Sequence, residues 1–179
     1  MARDELVECI DLAPTFLRYH GGRDLPHIIE GRALDPLLHS ADPPGEWRRY
    51  AISEYDYATR PARTAIGNAQ EDARLLMIRD ERWKYIHAEG FRPMLFDLEA
   101  DPDELRDLGA SGEPRHAEVR ARLHEALFAW ARRHHCRITL EPETIERMTA
   151  AVEPPGILIG YWDEAEYEAE FGKPFSERP

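Results

Sequence analysis

The chain has 179 residues, which fits one domain or one domain with a tail, and its 42% of hydrophobic residues is enough for a core. The net charge of −12 argues against nucleic acid or an acidic membrane surface as a partner. No apolar run approaches the roughly 20 residues of a membrane helix, no secretory signal is visible, and the two cysteines form no CxxC pair, so we expect a cytoplasmic protein.

The first predicted element is a helix at residues 6–19. Apolar residues recur there at i, i+3, i+4 and i+7, which places them on one stripe of a helix. These residues are Leu6, Cys9, Ile10, Ala13, Phe16 and Leu17. The helix should end at His20-Gly21-Gly22, because glycine adopts the positive φ that follows many helix ends.

A small sheet is predicted from the middle of the chain. Residues 49–57 alternate between two faces, and residues 59–72 are polar and loop-like. Residues 73–79 form a continuous apolar run, typical of a central strand buried on both faces. Two more strands follow at 83–87 and 93–98, and an Asp-Pro-Asp turn then breaks the sheet.

Helical periodicity returns after Pro114, which suits the first turn of a helix because its missing N–H is not needed there. The stripe of this helix consists of Val119, Leu123, Leu127 and Trp130. A second short helix should begin at Pro142 and run past Met148. Strands followed by a helix across them predict an α+β fold, a small antiparallel sheet of about four strands with a packed C-terminal helix.

The last segment differs from the rest of the chain. Residues 156–162 are an apolar strip bracketed by glycine, and residues 163–170 are acidic and helix-compatible. Such a strip needs a surface to dock on. Two interpretations stay open: a strand that packs back on its own domain, or an arm that reaches across a subunit interface.

Three motifs in the first part of the chain carry a family resemblance. Residues 79–86 read R-D-E-R-W-K-Y-I, residues 95–104 read L-F-D-L-E-A-D-P-D-E, and Asp107-Leu108 follows. Residues 7–17 read V-E-C-I-D-L-A-P-T-F-L, and residues 30–38 read E-G-R-A-L-D-P-L-L. In their order along the chain, these three motifs resemble markers in the C-terminal part of sulfatases and phosphonate monoester hydrolases, which belong to the alkaline phosphatase superfamily.

The resemblance implies three segments. Residues 1–45 would be the C-terminal edge of an α/β catalytic domain, with a helix left over from it. Residues 46–137 would be the C-terminal α+β subdomain, and residues 138–179 an extension that could serve as an oligomer arm. The expected partner is a second copy in a homo-oligomer or the missing catalytic domain, with no nucleic acid and no membrane.

The implied function is that of a C-terminal fragment. The parent enzyme would hydrolyse sulfate, phosphate or phosphonate esters with a divalent metal ion, and this chain alone would be inactive. An alternative is a stand-alone module that docks on a separate catalytic chain. Without an α/β partner, the apolar stripe at residues 6–17 should be exposed, so we expect self-association or marginal stability.

The nucleophile of this family is usually a cysteine in a C/S-x-P-x-R motif, and neither Cys9 nor Cys136 has that context. The run that begins at Thr59 reads T-R-P-A-R, but it lies after the first two markers, whereas the family nucleophile lies far ahead of them. We therefore predict a chance match. A place for Arg60 or Arg63 on an active-site rim, and a rival hydrolase that uses Thr59, remain as alternatives.

Metal ligands are also not expected, since such sites need closely converging side chains. Glu54 and Asp56 share a strand face that suits solvent. The adjacent pair in His134-His135-Cys136 would point about 100° apart on a helix, which makes chelation poor. His87 should pack on its strand, and three others are loop residues, namely His20, His27 and His39. The sequence thus predicts no catalytic, cofactor-binding or metal-binding residue in this chain.

Overall fold

The protein is represented by a computed structural model that describes residues 3–40, 47–133, 140–150, 164–172 and 174. Two compact units divide the chain, Met1–Ile138 and Thr139–Pro179. The first unit includes all three family motifs and the sheet.

The N-terminal segment begins later as a helix than the periodicity predicts. A short 3₁₀ turn at Cys9–Asp11 leads into α1 (Leu12–Tyr19), whereas Glu8 is extended with φ −127° and ψ 154°. The Asp11 carboxylate accepts a hydrogen bond from the Glu8 N–H, which starts the helix at this point. Gly21 follows α1 with φ +73°, so the predicted helix end is confirmed.

A second short helix, α2 (Asp35–His39), lies in the second motif, and the sheet follows it. The sheet has four antiparallel strands in the order in which they occur along the chain. They are β1 (Ala51–Asp56), β2 (Arg74–Arg79), β3 (Trp83–Ala88) and β4 (Met94–Asp97). The predicted α+β class and the number of strands are confirmed.

The polar segment between β1 and β2 was predicted to be a loop, and this prediction was wrong. It contains the short helix α3 (Pro61–Ile66). Pro61 occupies the first turn, and Gly67 ends the helix with φ +76°. Both signals are present in the sequence, but the polar composition around them masked the helix.

One face of the sheet is covered by α4 (Pro114–Arg132), as predicted. Leu123 and Leu127 of the predicted stripe are completely buried, and each contributes roughly 1.5–3 kcal/mol by leaving water. The core that they complete also contains Ile78, Trp83, Tyr85 and Leu95.

The other face of the sheet is less covered, which corrects the prediction that residues 73–79 are buried on both faces. Within β2 only Ile78 is fully buried, and Leu75 and Met77 are half-buried. The strand register places Met77 beside Ile86, and Ile86 beside Met94, so three apolar side chains form a row across this face. β2 therefore carries more apolar side chains than the described part of the chain buries.

The second unit contains α5 (Pro142–Ala150) and α6 (Glu164–Phe171). α5 begins at Pro142 and extends past Met148, as predicted. α6 lies in the acidic segment that the sequence marks as compatible with a helix. The apolar strip at residues 156–162 lies outside the described residues, so both interpretations of it stay predictions.

Candidate functional site

The charged residues of the β3–β4 motif pair with one another. The Arg82 guanidinium donates from Nε and Nη2 to the two carboxylate oxygens of Asp97, over 3.0 and 2.7 Å. These bonds hold the pKa of Asp97 below its ordinary value, although burial raises it. Asp97 also accepts hydrogen bonds from the N–H groups of Glu99 and Ala100. The pair joins the start of β3 to the end of β4.

The second half of the motif is held by another ion pair. The Lys84 ammonium donates to the Glu104 carboxylate over 2.6 Å. Glu104 has a φ of 57°, which is uncommon for a residue other than glycine. Asp107 then accepts hydrogen bonds from the Leu95 and Gly109 N–H groups over 3.1 and 2.7 Å. These contacts fasten the turn after β4 to the sheet.

Asp80, in the turn between β2 and β3, connects the sheet to α4. It accepts hydrogen bonds from the backbone N–H groups of Trp83 and Arg82, and from Arg122 on α4 over 2.8 Å. Burial raises the pKa of Asp80, but these three donors outweigh burial, and the pKa lies below its ordinary value. Arg82 and Asp80 therefore have structural roles in the same turn.

A buried charge network fastens the N-terminal segment. Asp11 is completely buried and accepts hydrogen bonds from the N–H groups of Glu8 and Arg32, each over 2.8 Å. The Arg48 guanidinium bonds both the Asp11 and the Glu8 carboxylates. Glu8 also accepts from the Ile52 N–H over 2.6 Å, at the start of β1. The network ties the first motif to the second motif and to the sheet.

Two further contacts join the first and second motifs. The Thr15 hydroxyl donates to the Asp11 carbonyl over 2.6 Å and accepts from the Leu34 N–H over 2.8 Å. A side chain at Gly31 would place its Cβ 2.1 Å from the Ile10 carbonyl oxygen, so only glycine fits there. Thr15 and Gly31 therefore hold the first and second motifs together within the fold.

The T-R-P-A-R run forms the entry to α3. Thr59 and Arg60 are exposed. The Arg63 guanidinium donates to the backbone carbonyls of Ala58 over 2.7 Å and Asn68 over 3.0 Å, so it supports the loop on both sides of the helix. These contacts give Arg63 a structural role, which favours the prediction of a chance match.

His87 lies in an aromatic group between β3 and α4. Its ring centroid is 5.7 Å from that of His124 and 5.0 Å from that of Phe128. The His87 Nε2 atom is 3.2 Å from the Glu89 carboxylate, and the Tyr85 hydroxyl is 3.1 Å from His124 Nδ1. Burial raises the pKa of Tyr85 above its ordinary value. The sequence indicated the strand face of His87 but not His124, which comes from a distant helix.

The other predicted candidates are scattered. Glu54 and Asp56 are exposed on β1, and His20 is exposed after α1. His27 is half-buried in a turn, and His39 Nε2 lies 2.9 Å from the Tyr19 hydroxyl. The cluster at residues 134–136 lies outside the described residues.

A divalent metal ion, which the family resemblance implies, does not fit the described part of the chain. Among those residues, no three or more His, Cys, Asp or Glu side chains converge closely enough to hold one. The buried carboxylates of Asp11 and Asp97 are engaged by arginines. We therefore assign no reaction step to a metal ion in this chain.

An open cavity of about 290 Å³ lies beside α1. Arg18 on its wall pairs with Asp24 through two hydrogen bonds, which raise the pKa of Arg18 and lower that of Asp24. The Arg32 guanidinium lies 5.9 Å from the ring centroid of Trp47. The charged residues of the cavity wall thus have partners within the fold, and the rest of the lining is mainly apolar.

The remaining feature of this region is the outer face of α1. Leu12, Phe16 and Tyr19 are 46%, 59% and 60% exposed, although they are large and apolar. Val7 and Ile10, which precede α1, are about half exposed as well. A contiguous exposed apolar patch of this kind marks a contact surface in many proteins. Among all the helices of the described residues, α1 included, none has the length and apolar character needed to cross a bilayer.

The known proteins that this chain resembles agree with one another in family. The family described as "N-sulphoglucosamine sulphohydrolase, C-terminal" matches residues 1–133. The chain is 32% identical over 130 residues to the multifunctional alkaline phosphatase superfamily protein PehA of Trinickia caryophylli, across 71% of this chain and 24% of that protein. It is 29% identical over 121 residues to arylsulfatase K of Xenopus laevis, across 66% of this chain and 22% of that protein.

A solved structure agrees with these matches. The phosphonate monoester hydrolase of Agrobacterium radiobacter is 33% identical, with a TM-score of 0.59, over 70% of this chain and 25% of that chain. The chain therefore spans about a quarter of the length of the relatives that it matches.

Proposed function

Because the chain belongs to the family of N-sulphoglucosamine sulphohydrolase C-terminal domains, we propose that it is the C-terminal unit of an ester hydrolase of that family. Its relatives are sulfatases and phosphonate monoester hydrolases of the alkaline phosphatase superfamily, which confirms the resemblance seen in the three motifs. In this proposal the rest of the enzyme supplies the nucleophile and the divalent metal site, and this unit supports it.

The observation that carries the proposal is the extent of the match. It covers residues 1–133, from the N-terminal segment to the end of α4, yet these residues correspond to about a quarter of each relative. Within the match, the charged motif residues Asp11, Arg82 and Asp97 are engaged in ion pairs that hold the fold. Such pairing suits a supporting unit better than a reaction centre.

The substrate class is proposed from the relatives. A phosphonate monoester hydrolase and an arylsulfatase match 70% and 66% of this chain, so esters of sulfate, phosphate or phosphonate are the expected substrates of the whole enzyme. The finer preference among these esters would be decided by the groups that contact the substrate in the catalytic portion.

A chimera tests the proposal. The segment of PehA that this chain matches is replaced by residues 1–133 of this chain, and hydrolysis of aryl sulfate and aryl phosphonate esters is measured with added manganese. We expect turnover by the chimera and none by the 179-residue chain alone. An inactive chimera, alongside active PehA, would contradict the proposal.

The isolated chain provides the matching control. Turnover by this chain with manganese, calcium or zinc, abolished by Thr59→Ala, would favour an independent hydrolase instead. A stand-alone module that docks on a separate catalytic chain is the alternative, and the exposed face of α1 favours it. Adding the 179-residue chain to PehA expressed without its matched segment would restore turnover if docking needs no covalent link.

A further inference from the structure

The open cavity beside α1 has a mainly apolar wall. Its volume of about 290 Å³ lies at the lower limit of the roughly 300–1,000 Å³ that is typical of small-molecule sites. Pro14 and Ala33 on its wall are buried, and Leu25 and Ile29 are half-buried. Water in such a space meets few polar partners, so an apolar group that displaces this water gains free energy.

Two wall residues are held in place by hydrogen bonds to other segments. The Trp47 indole N–H donates to the Leu6 carbonyl over 2.7 Å. The Arg32 backbone N–H donates to the completely buried Asp11 carboxylate over 2.8 Å. The indole and the backbone that carries the guanidinium are therefore positioned before any ligand arrives, which lowers the entropic cost of binding.

The charge of the cavity wall is positive. Among the described residues, two arginines and one aspartate line the cavity. Arg18 donates from Nε and Nη2 to the two carboxylate oxygens of Asp24, so this pair is neutral. Arg32 adds a second cation, and its guanidinium lies 5.9 Å from the ring centroid of Trp47. The ring contact does not neutralise the guanidinium, whose N–H donors suit a carboxylate.

From this arrangement we infer that the cavity is a binding site for a small organic anion, namely an aromatic ring that carries one carboxylate. The ring lies against the apolar side chains of Leu25 and Ile29 and against the indole of Trp47. The carboxylate pairs with Arg32. Binding of this kind needs neither a nucleophile nor a metal ion, so the site goes beyond the proposed function and does not depend on it.

Phenylacetate is the probe that tests the site. It is titrated at neutral pH into the isotope-labelled 179-residue chain, and the N–H signals are followed by NMR. We expect saturable shifts of the Gly31, Ala33 and Trp47 indole signals, with a Kd of about 1 mM or below for a ligand of this size. Phenylacetamide has the same shape without the charge and should bind about fivefold more weakly, the upper limit for an exposed ion pair. Acetate lacks the ring and should give no saturable shift.

Two arginines provide a matched pair of variants. Arg32→Gln removes the cation from the wall and should weaken phenylacetate binding about fivefold without changing phenylacetamide binding. Arg49→Gln is the control, because Arg49 lies outside the described lining and its guanidinium also lies over a ring, 5.2 Å from the centroid of Tyr50. This control should leave both affinities unchanged. Ile29→Trp fills the cavity and should abolish the binding of both ligands.

The absence of a saturable shift with phenylacetate would overturn the binding site. Saturable shifts confined to residues outside the cavity wall would overturn it as well. Equal affinities for phenylacetate and phenylacetamide, or equal losses with Arg32→Gln and Arg49→Gln, would contradict the pairing of the carboxylate with Arg32. The PehA chimera tests the proposed function separately, since its turnover or inactivity does not alter these titrations.

Discussion

Two helices of the first unit use their apolar residues in opposite ways. α4 turns Leu123 and Leu127 into the sheet, where both are completely buried. α1 turns Thr15 inward and leaves Phe16 59% exposed on its outer side. Both helices have an apolar stripe in the sequence, so periodicity alone does not tell which stripe is covered within the chain. The difference shows that α4 completes the core on one face of the sheet, whereas α1 leaves large apolar side chains exposed.

The largest effect is expected from breaking the inner attachment of α1. Asp11→Ala removes the acceptor of the Glu8 and Arg32 N–H groups and leaves Arg48 with one carboxylate instead of two. We expect a loss of about 3–5 kcal/mol in the free energy of unfolding, measured by urea titration. Asp24→Ala, in the exposed pair with Arg18, is the control and should have little effect. A similar small loss for Asp11→Ala would mean that the network does not hold α1.

A comparable or somewhat smaller effect is expected on the α4 side. Leu127→Ala leaves a cavity between α4 and the sheet and should lower the free energy of unfolding by about 2–5 kcal/mol. The matched control is Leu105→Ala, because Leu105 is highly exposed and should stay within about 0.5 kcal/mol of the unaltered chain. Equal effects of the two leucines in urea titrations would contradict the described core.

Acidification should weaken the contacts around the sheet. The pKa values of Asp80 and Asp97 are lowered in the folded chain, so the unfolded chain binds more protons as the pH falls below about 5. The stability that these carboxylates contribute is present above their unfolded pKa of about 3.9 and is lost as the pH falls through their lower folded pKa. The urea midpoint should therefore fall on acidification from pH 5 to pH 2.

The variant Asp97→Asn isolates one part of this pH dependence, because it cannot titrate and its pairing with Arg82 is weakened at every pH. Its urea midpoint should start lower at pH 7 and decline less steeply than that of the unaltered chain. A parallel decline in both proteins would show that Asp97 does not contribute to the pH dependence.

The smallest effect on the isolated chain is expected from its exposed helix face. Leu12→Ser with Phe16→Ser should lower the free energy of unfolding by no more than about 1 kcal/mol, because both side chains are about half exposed. Sedimentation should show less self-association than for the unaltered chain. Destabilisation by more than about 1 kcal/mol would mean that this face is covered within the chain.

Local patterns predicted most of the elements because their causes are local. The stripe of α4, the alternation in β1 and the proline at the start of α5 are readable from neighbouring residues. The helix α3 was missed because its proline and glycine signals lie in a polar stretch. The start of α1 was placed too early because the extended conformation of Glu8 depends on where the Asp11 side chain bonds.

The same distinction between local signals and distant contacts applies to the candidate site. The three motifs located the residues that matter and indicated the family, and the match to residues 1–133 confirms it. The motifs could not show that Arg82 pairs with Asp97 or that Asp80 reaches Arg122 on α4, because those partners are 15 and 42 residues apart. The role of these charges as fold contacts became visible only in three dimensions.

The order of the four strands, the helix α4 that follows them and the family of the chain were decided by the amino-acid sequence alone, since periodicity, turn residues and motif spacing act over short distances. The tertiary structure decided which face of α1 points outward. That orientation depends on bonds from Asp11 to Arg32 and Arg48, which are 21 and 37 residues away, and such contacts form only when distant segments meet. A buried carboxylate must keep its donors, so the side of α1 that carries Pro14 and Thr15 turned inward, and the side with Leu12 and Phe16 was left to face outward.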